Sequence, residues 1–265
     1  RNENPALRRM LSLARKMSEA RSPSVRLGWF RPVHCKSLPA QEVRALLTAR
    51  KLLQIKRIDV DISIRGILRG FGLKVGATTP RTFERRIRDL VAEHGTLQFI
   101  SECLLNARAV LESEFKLIEK RIYALARHDD RTKLLMTTPG VGALVSLTFV
   151  SAIDDPSRFR SSRAVGAHFG LTQKKYQSGE TDVTGRISKC GDREVRAALY
   201  EAANVILTRV VKASALKDWA MGVAKRAGAK KAKVALARKL AVVLHRMLAD
   251  GTEFVAARAA RPMPA

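Results

Sequence analysis

The chain has 265 residues, with 50 Lys and Arg against 24 Asp and Glu, a formal charge of +26. Such an excess repels itself unless a polyanion or salt screens it, so nucleic acid leads the candidate partners. No run of about 18 apolar residues is present and no secretory pattern opens the chain, which argues against a membrane and for a cytoplasmic protein.

Few aromatics and many alanines and leucines predict a mainly α protein with room for one or two domains. Cys35, Cys103 and Cys190 lie far apart, without metal-ligand spacing, and read as free thiols. Residues 1–26 form a basic lead segment with a short helical pattern through Leu7, Met10, Leu11 and Leu13. They open on Arg1, and a fragment of a longer product is the expectation. Gly28 to Val33 reads as an extended connector, since Pro32 disfavours helix at Arg31.

Between Pro39 and Phe71, Val43, Leu46, Leu47, Leu53, Ile58 and Ile62 recur at helical spacing. Gly70 and Gly72 end that helix. A second helical region starts after Thr78, Thr79 and Pro80 and runs to Leu125, interrupted at Gly95. Residues 27–128 therefore predict a helical connector and coiled coil, either an antiparallel hairpin able to dimerise or a bundle within one subunit.

Residues 129–255 predict a compact helical domain, followed by a tail at 256–265. Asp129 and Asp130 mark the break, and a helix to Met136 leads into Pro139-Gly140-Val141-Gly142 and an apolar helix through Ile153. This is a helix-hairpin-helix pattern, in which Gly140 and Gly142 let backbone N–H groups approach a phosphate; a tight turn between packed helices needs much the same residues. A further helix holds Ala164, Val165 and Phe169 and closes at Gly170, with His168 read as a packed histidine.

Residues 172–199 concentrate the chemistry. Lys174 and Lys175 open an alternating run through Tyr176 to Ser178 and Gly179, a small β-hairpin that carries a hydroxyl on a tight turn. Gly185, Arg186, Ser188, Lys189 and Gly191 follow, and Asp192 reads as the N-cap of a helix burying Val195, Leu199, Ala202 and Ile206. Backbone N–H groups there, with Arg186, Lys189, Arg193 and Arg196, form a candidate phosphate site. The charge excess is local too: residues 172–239 hold 16 basic and 6 acidic side chains.

The run PGVGALVSLTFVSAIDDPSRFRSSRAVGAHFGLTQKKYQSGETDVTGRISKCGDREVRAALYEAANVIL strongly resembles the C-terminal domain of the insertion-sequence-110 transposases. WAMGVAKRAGAKKAKVALARKLAVVLHRML is similar to that domain's basic closing helices, which add Lys230 and Lys231 to the nucleic-acid-binding candidates. The resemblance implies DNA strand exchange by an oligomer guided by a structured RNA. In the family's aromatic-x-Ser-Gly motif the nucleophilic serine falls on Ser178, in Tyr176-Gln177-Ser178-Gly179. Gln173 stands where many members have proline. Members pair this domain with an N-terminal RNase H-like domain whose four acids bind magnesium. Residues 1–26 occupy the place of its last two aspartates and contain none. That domain is therefore expected to be absent, with no cofactor held by this chain. Asp59, Asp61, Asp154 and Asp155 lie in helices or at helix ends and are no substitute. Two functions follow: a serine transposase that is incomplete alone, or a non-catalytic nucleic-acid-binding remnant.

Overall fold

The computed structural model describes residues 34–256 except residue 213, so the lead segment and the extended connector after it lie outside the described residues. The chain divides into two compact units, Arg1–Lys36 and Ser37–Ala265, and every described helix and strand belongs to the second. Among the described residues the protein is mainly helical, with one two-stranded antiparallel hairpin.

Helix α1 (Leu38–Gly70) starts where the Ser37 hydroxyl accepts from the Ala40 N–H, with a proline in the first turn, and stops at Phe71 before Gly72, whose φ is +79°. After a loop come α2 (Phe83–Val91) and α3 (Gly95–His128). The Thr79 and Thr82 hydroxyls bond each other at 3.0 Å ahead of α2, which therefore begins three residues after Pro80.

Helices α1 and α3 run antiparallel. Arg50 donates to Glu119 at 2.5 Å, Arg57 pairs with Glu112, and Arg108 pairs with Asp61 at 2.6 Å, so each advance along α1 meets an equal retreat along α3. Phe115 lies buried beneath Arg50 and Arg57, whose guanidiniums are 4.9 and 5.6 Å from its ring. This is the hairpin within one chain that the sequence left open as an alternative. Its apolar pattern is less simple than the periodicity suggested. Ile58 and Ile62, expected on the buried stripe, are exposed, as is Leu117 of α3. The reason is that α1 carries apolar residues on two faces and α3 covers only one.

Three clusters hold the unit together. The distal one packs α2 and its loop on the far ends of α1 and α3, around Ile64, Leu68, Phe83 and Ile87. Arg108, 5% exposed, braces it by donating to Asp61 and to Glu84 at 3.0 Å across the Phe83 ring. A second cluster joins Val43 and Leu47 of α1 with Ile122 and Ala126 of α3 and with Leu147. Leu147 belongs to α5 (Ala143–Ile153), which follows α4 (Asp130–Met136). Asp154 fastens the same end, accepting from the Ser37 backbone N–H and hydroxyl at 2.7 and 2.6 Å.

The third and largest cluster is the core of the C-terminal domain. Around it stand α4, α5, a 3-10 turn at Pro156–Arg158, α6 (Ser162–His168), α7 (Arg193–Thr208), α8 (Ala215–Ala227) and α9 (Ala229–Asp250). Helix α9 is its centre: Leu236, Leu240 and Leu244 are fully buried, each costing about 2–5 kcal/mol if cut to Ala. His245 continues that stripe, facing the Ser162 hydroxyl at 2.9 Å and the Pro156 carbonyl at 3.1 Å; burial lowers its pKa and keeps the ring neutral.

The distal cluster depends on Arg108, which supplies the prediction here. Replacing Arg108 with Ala leaves Asp61 unpaired and Glu84 with only Arg88 at 3.9 Å, and is expected to cost about 2–3 kcal/mol, less than for a fully buried pair because both acids touch water. Hydrogen exchange should quicken in α2 and its loop while α9 stays protected. Arg108→Met, which keeps the packing, should cost less than Arg108→Ala.

Candidate nucleic-acid interface

Strands β1 (Gln173–Ser178) and β2 (Thr181–Ile187) form the hairpin that carries Ser178. Ser178 pairs with Thr181 across a turn at Gly179, whose φ is +56°. By strand alternation and cross-strand register, Ser178 shares one face with Lys174, Tyr176, Thr181 and Val183, while Lys175, Gln177, Asp182 and Thr184 share the other. An irregularity in the pairing falls between Gln173 and Lys175, opposite Gly185. A side chain at Gly185 would meet the Tyr176 ring at 3.3 Å.

Both faces of the arm are open to solvent except near Gly185 and Ile187, and Tyr176 and Val183 are 59% and 53% exposed. At about 3.3 Å per residue β1 reaches about 20 Å. A two-stranded hairpin with no core of its own is marginal in water. This one is held only at its base. Ile187 packs on the core, the Ser188 N–H donates to Thr172 at 2.8 Å, and the Lys189 N–H donates to Gly170 at 3.0 Å.

The base is a backbone crossing. Gly170 and Gly191 have φ of +67° and +72°, and a Cβ on either would run into the backbone of the other segment, Cys190 in one case and His168 in the other. Arg196 ties the crossing by donating to Phe169 at 3.1 Å and to Cys190 at 2.5 Å. Arg196, a candidate phosphate ligand from sequence, is therefore occupied in holding the loop. His168, read from the sequence as packed, is exposed, though it lies edge-on to the rings of Phe159 and Phe169, each 5.1 Å away.

The N-terminus of α7 is occupied as well. Asp192 is its N-cap, as its spacing predicted, and accepts from the Glu194 and Val195 N–H groups at 2.8 and 3.2 Å. Its other oxygen meets Arg44 of α1 at 2.5 Å, and Glu194 meets Lys51 at 2.5 Å. Burial pushes the Asp192 carboxyl up, but Arg44 and the two N–H groups outweigh it and hold the group below the ordinary aspartate value. Those N–H groups hold an internal anion, not an open phosphate cradle.

The other basic candidates are differently placed. The side chains of Lys174, Arg186, Lys189 and Arg193 are exposed and make no hydrogen bond or ion pair among the described residues, while Lys175 lies 3.9 Å from Asp182. Lys230 and Lys231, also exposed, stand in the first turn of α9, where no side chain caps the helix. Cations beside the positive end of a helix are unfavourable, and a bound phosphate would relieve them. Gly142 is the exposed N-cap of α5. Gly140 is packed: a Cβ there would lie 2.7 Å from the Ile206 side chain, so α7 requires this glycine whether or not phosphate binds.

Among the described residues no side-chain hydrogen bond joins Ser178 to a carboxylate or histidine. Asp182 faces Lys175 across the strands, and no group of three or more His, Cys, Asp or Glu able to hold a metal forms among the described residues. The carboxylates here do not fit a metal site. No helix among the described residues is long and apolar enough to cross a membrane.

The chain is 28% identical over 221 residues to the transposase for insertion sequence element IS1111A of Coxiella burnetii, covering 82% of this chain and 61% of the relative. It is 28% identical over 238 residues to a probable family 20 transposase of Pseudomonas aeruginosa, covering 84% and 68%. With the transposase for insertion sequence element IS1328 of Yersinia enterocolitica the identity is 26% over 220 residues, covering 81% and 65%. The chain thus spans about three fifths to two thirds of the length of these curated relatives. Residues 132–220, from α4 through the Ser178 hairpin into α8, match the transposase IS116/IS110/IS902 family.

Proposed function

We propose that this chain is the DNA-engaging part of an insertion-sequence transposase, with Ser178 as the nucleophile in strand exchange. The observation that carries this reading is the exposed hydroxyl at the end of a coreless arm, flanked by uncompensated cations, inside the family-matched segment. DNA laid along the arm would cover Tyr176 and Val183 and neutralise Lys174 and Arg186. Attack forms a bond from the Ser178 Oγ to phosphorus and breaks the bond to the departing strand oxygen. The hydroxyl proton has to pass to a base, and the departing oxygen needs a proton or a cation. Arg186, Lys174 and Lys189 supply charge for the phosphate; no neighbouring carboxylate is arranged to take the proton.

A second reading, a nucleic-acid-binding remnant that does not cut, is favoured by that missing base. Structured guide RNA is a further proposed partner of the same cationic surface. Self-association is proposed through α3, where Phe99, Cys103, Asn106, Val110, Ser113 and Leu117 follow alternating steps of four and three and are all exposed.

Duplex DNA binding should weaken steeply with salt, and the joint change Lys174→Gln, Lys175→Gln and Arg186→Gln should cut the log–log salt slope by about 2–3. A slope unchanged by the substitutions removes DNA from the arm. With donor DNA and magnesium, the chain alone should give no covalent protein–DNA band on denaturing gels, because general-base help is worth only about 10²–10⁴-fold. A band abolished by Ser178→Ala would show that the chain is self-sufficient and would dismiss the remnant reading. Light scattering should report a dimer or larger assembly at micromolar concentration, and Val110→Glu with Leu117→Glu should return a monomer of unchanged helicity.

A further inference from the structure

We infer that the distal end of the helical hairpin is a second nucleic-acid contact, which grips the phosphate backbone of duplex DNA away from the Ser178 arm. Two antiparallel helices need only about 2–8 residues to turn. Here residues 71–94 intervene, with α2 and, around Phe83 and Ile87, a buried core shared with the ends of α1 and α3. So elaborate a tip exceeds what a turn requires, and its surface chemistry is one-sided.

Two of its arginines serve the structure. Arg65 donates to the Gly76 carbonyl and the Thr78 hydroxyl, both at 2.7 Å, and Arg108 holds Glu84. Arg88 is paired with Glu102 at 2.7 Å. Arg69, Lys74, Arg81, Arg85 and Arg86 are different: all are exposed, and none makes a side-chain hydrogen bond or ion pair among the described residues. The acids left unpaired at the tip are Asp89 and Glu93. Arg85 and Arg86 line an open cavity of about 230 Å³ with Thr78 and Thr82, and Asp89 is on its wall. Guanidinium and hydroxyl donors around a space of this size suit phosphate oxygens, and the buried opposite face of α2 keeps the donors from collapsing together.

The choice of duplex DNA rests on the reading of the Ser178 arm; the presence of a cationic tip does not. Helix α1, with 33 residues, is about 50 Å long. At about 3.4 Å per base pair that length matches about 15 base pairs, so one duplex is long enough to meet both ends of the hairpin.

The test is fluorescence anisotropy with the full chain and a duplex of about 40 base pairs across a salt series. The variant is Arg81→Gln, Arg85→Gln and Arg86→Gln; the control is Lys116→Gln, Lys120→Gln and Arg121→Gln, equal in charge and on α3. The tip variant should bind at least about tenfold more weakly at low salt, with a slope smaller by about 2–3, while the control changes much less. Circular dichroism should match wild type, since the three side chains are exposed. Phenylglyoxal modification of Arg85 and Arg86 in the wild-type chain should be slowed by the duplex. An unchanged slope, an equal loss in the control, or unprotected arginines overturns the inference. Tip dependence seen with an RNA hairpin but not with DNA overturns its assignment to DNA. A wild-type chain that does not bind the duplex sinks the proposed function as well, whereas the other failures leave that reading standing.

Discussion

The crossing of two backbone segments at Gly170 and Gly191 is the constraint on which the candidate site depends. Neither position has room for a Cβ, and both need a left-handed backbone, so the loop after β2 can pass the end of α6 only there. Arg196 then satisfies a carbonyl from each segment. Lys189, with φ of +57°, completes the reversal that delivers the chain to Asp192. One small knot of backbone thus fixes where the arm leaves the domain and where α7 begins. Beyond the knot the arm is free of the core. Rigidity at the base and exposure along its length are what a reactive hydroxyl needs if it is to be offered to a large partner.

The long hairpin is tied to the same place by charge. Arg44 and Lys51 of α1 meet Asp192 and Glu194, while Ser37 holds Asp154 at the end of α5. The acids at the start of α7 are therefore neutralised from within. Lys174 and Arg186 on the arm, Lys230 and Lys231 on the first turn of α9, and Arg69, Lys74, Arg81, Arg85 and Arg86 at the distal tip are instead left with no side-chain partner among the described residues. This separation matters more than the net charge. A uniformly basic surface would bind any polyanion weakly, whereas cations grouped on fixed elements can hold a phosphate backbone in one register.

The two apolar faces of α1 show how one helix serves two demands. Its inner face packs on α3 at both ends, through Val43 and Leu47 near the base and Ile64 and Leu68 near the tip. Ile55, Ile58 and Ile62 remain outside, as do Val110 and Leu117 of α3. Large side chains exposed in rows on paired helices are unusual for a surface that stays in water, and they motivate the self-association proposed for this region.

The sequence by itself determined the helical class, the hairpin, the cap at Asp192 and the buried stripe of α7, because these are local: a repeat of 3.6, a glycine after a helix or an aspartate before one acts within a few residues. It also marked the segment that carries the family match, since Pro139 to Ile206 joins several motifs in one order. Which glycine serves which purpose was decided only in three dimensions. Gly140 in its Pro-Gly-Val-Gly turn and Gly191 in its basic loop both turn out to be spaces for packing against Ile206 and His168, far from them in sequence or on another element. Arg196 and the first N–H groups of α7 read as open to a phosphate until two carbonyls and the Asp192 carboxylate were brought against them. The same holds for Ile58 and Ile62, whose periodicity states that a helix has an apolar face but not which neighbour arrives to cover it. Periodicity is a property of one segment; occupancy belongs to a pair of segments, and only the tertiary structure brings the pair together.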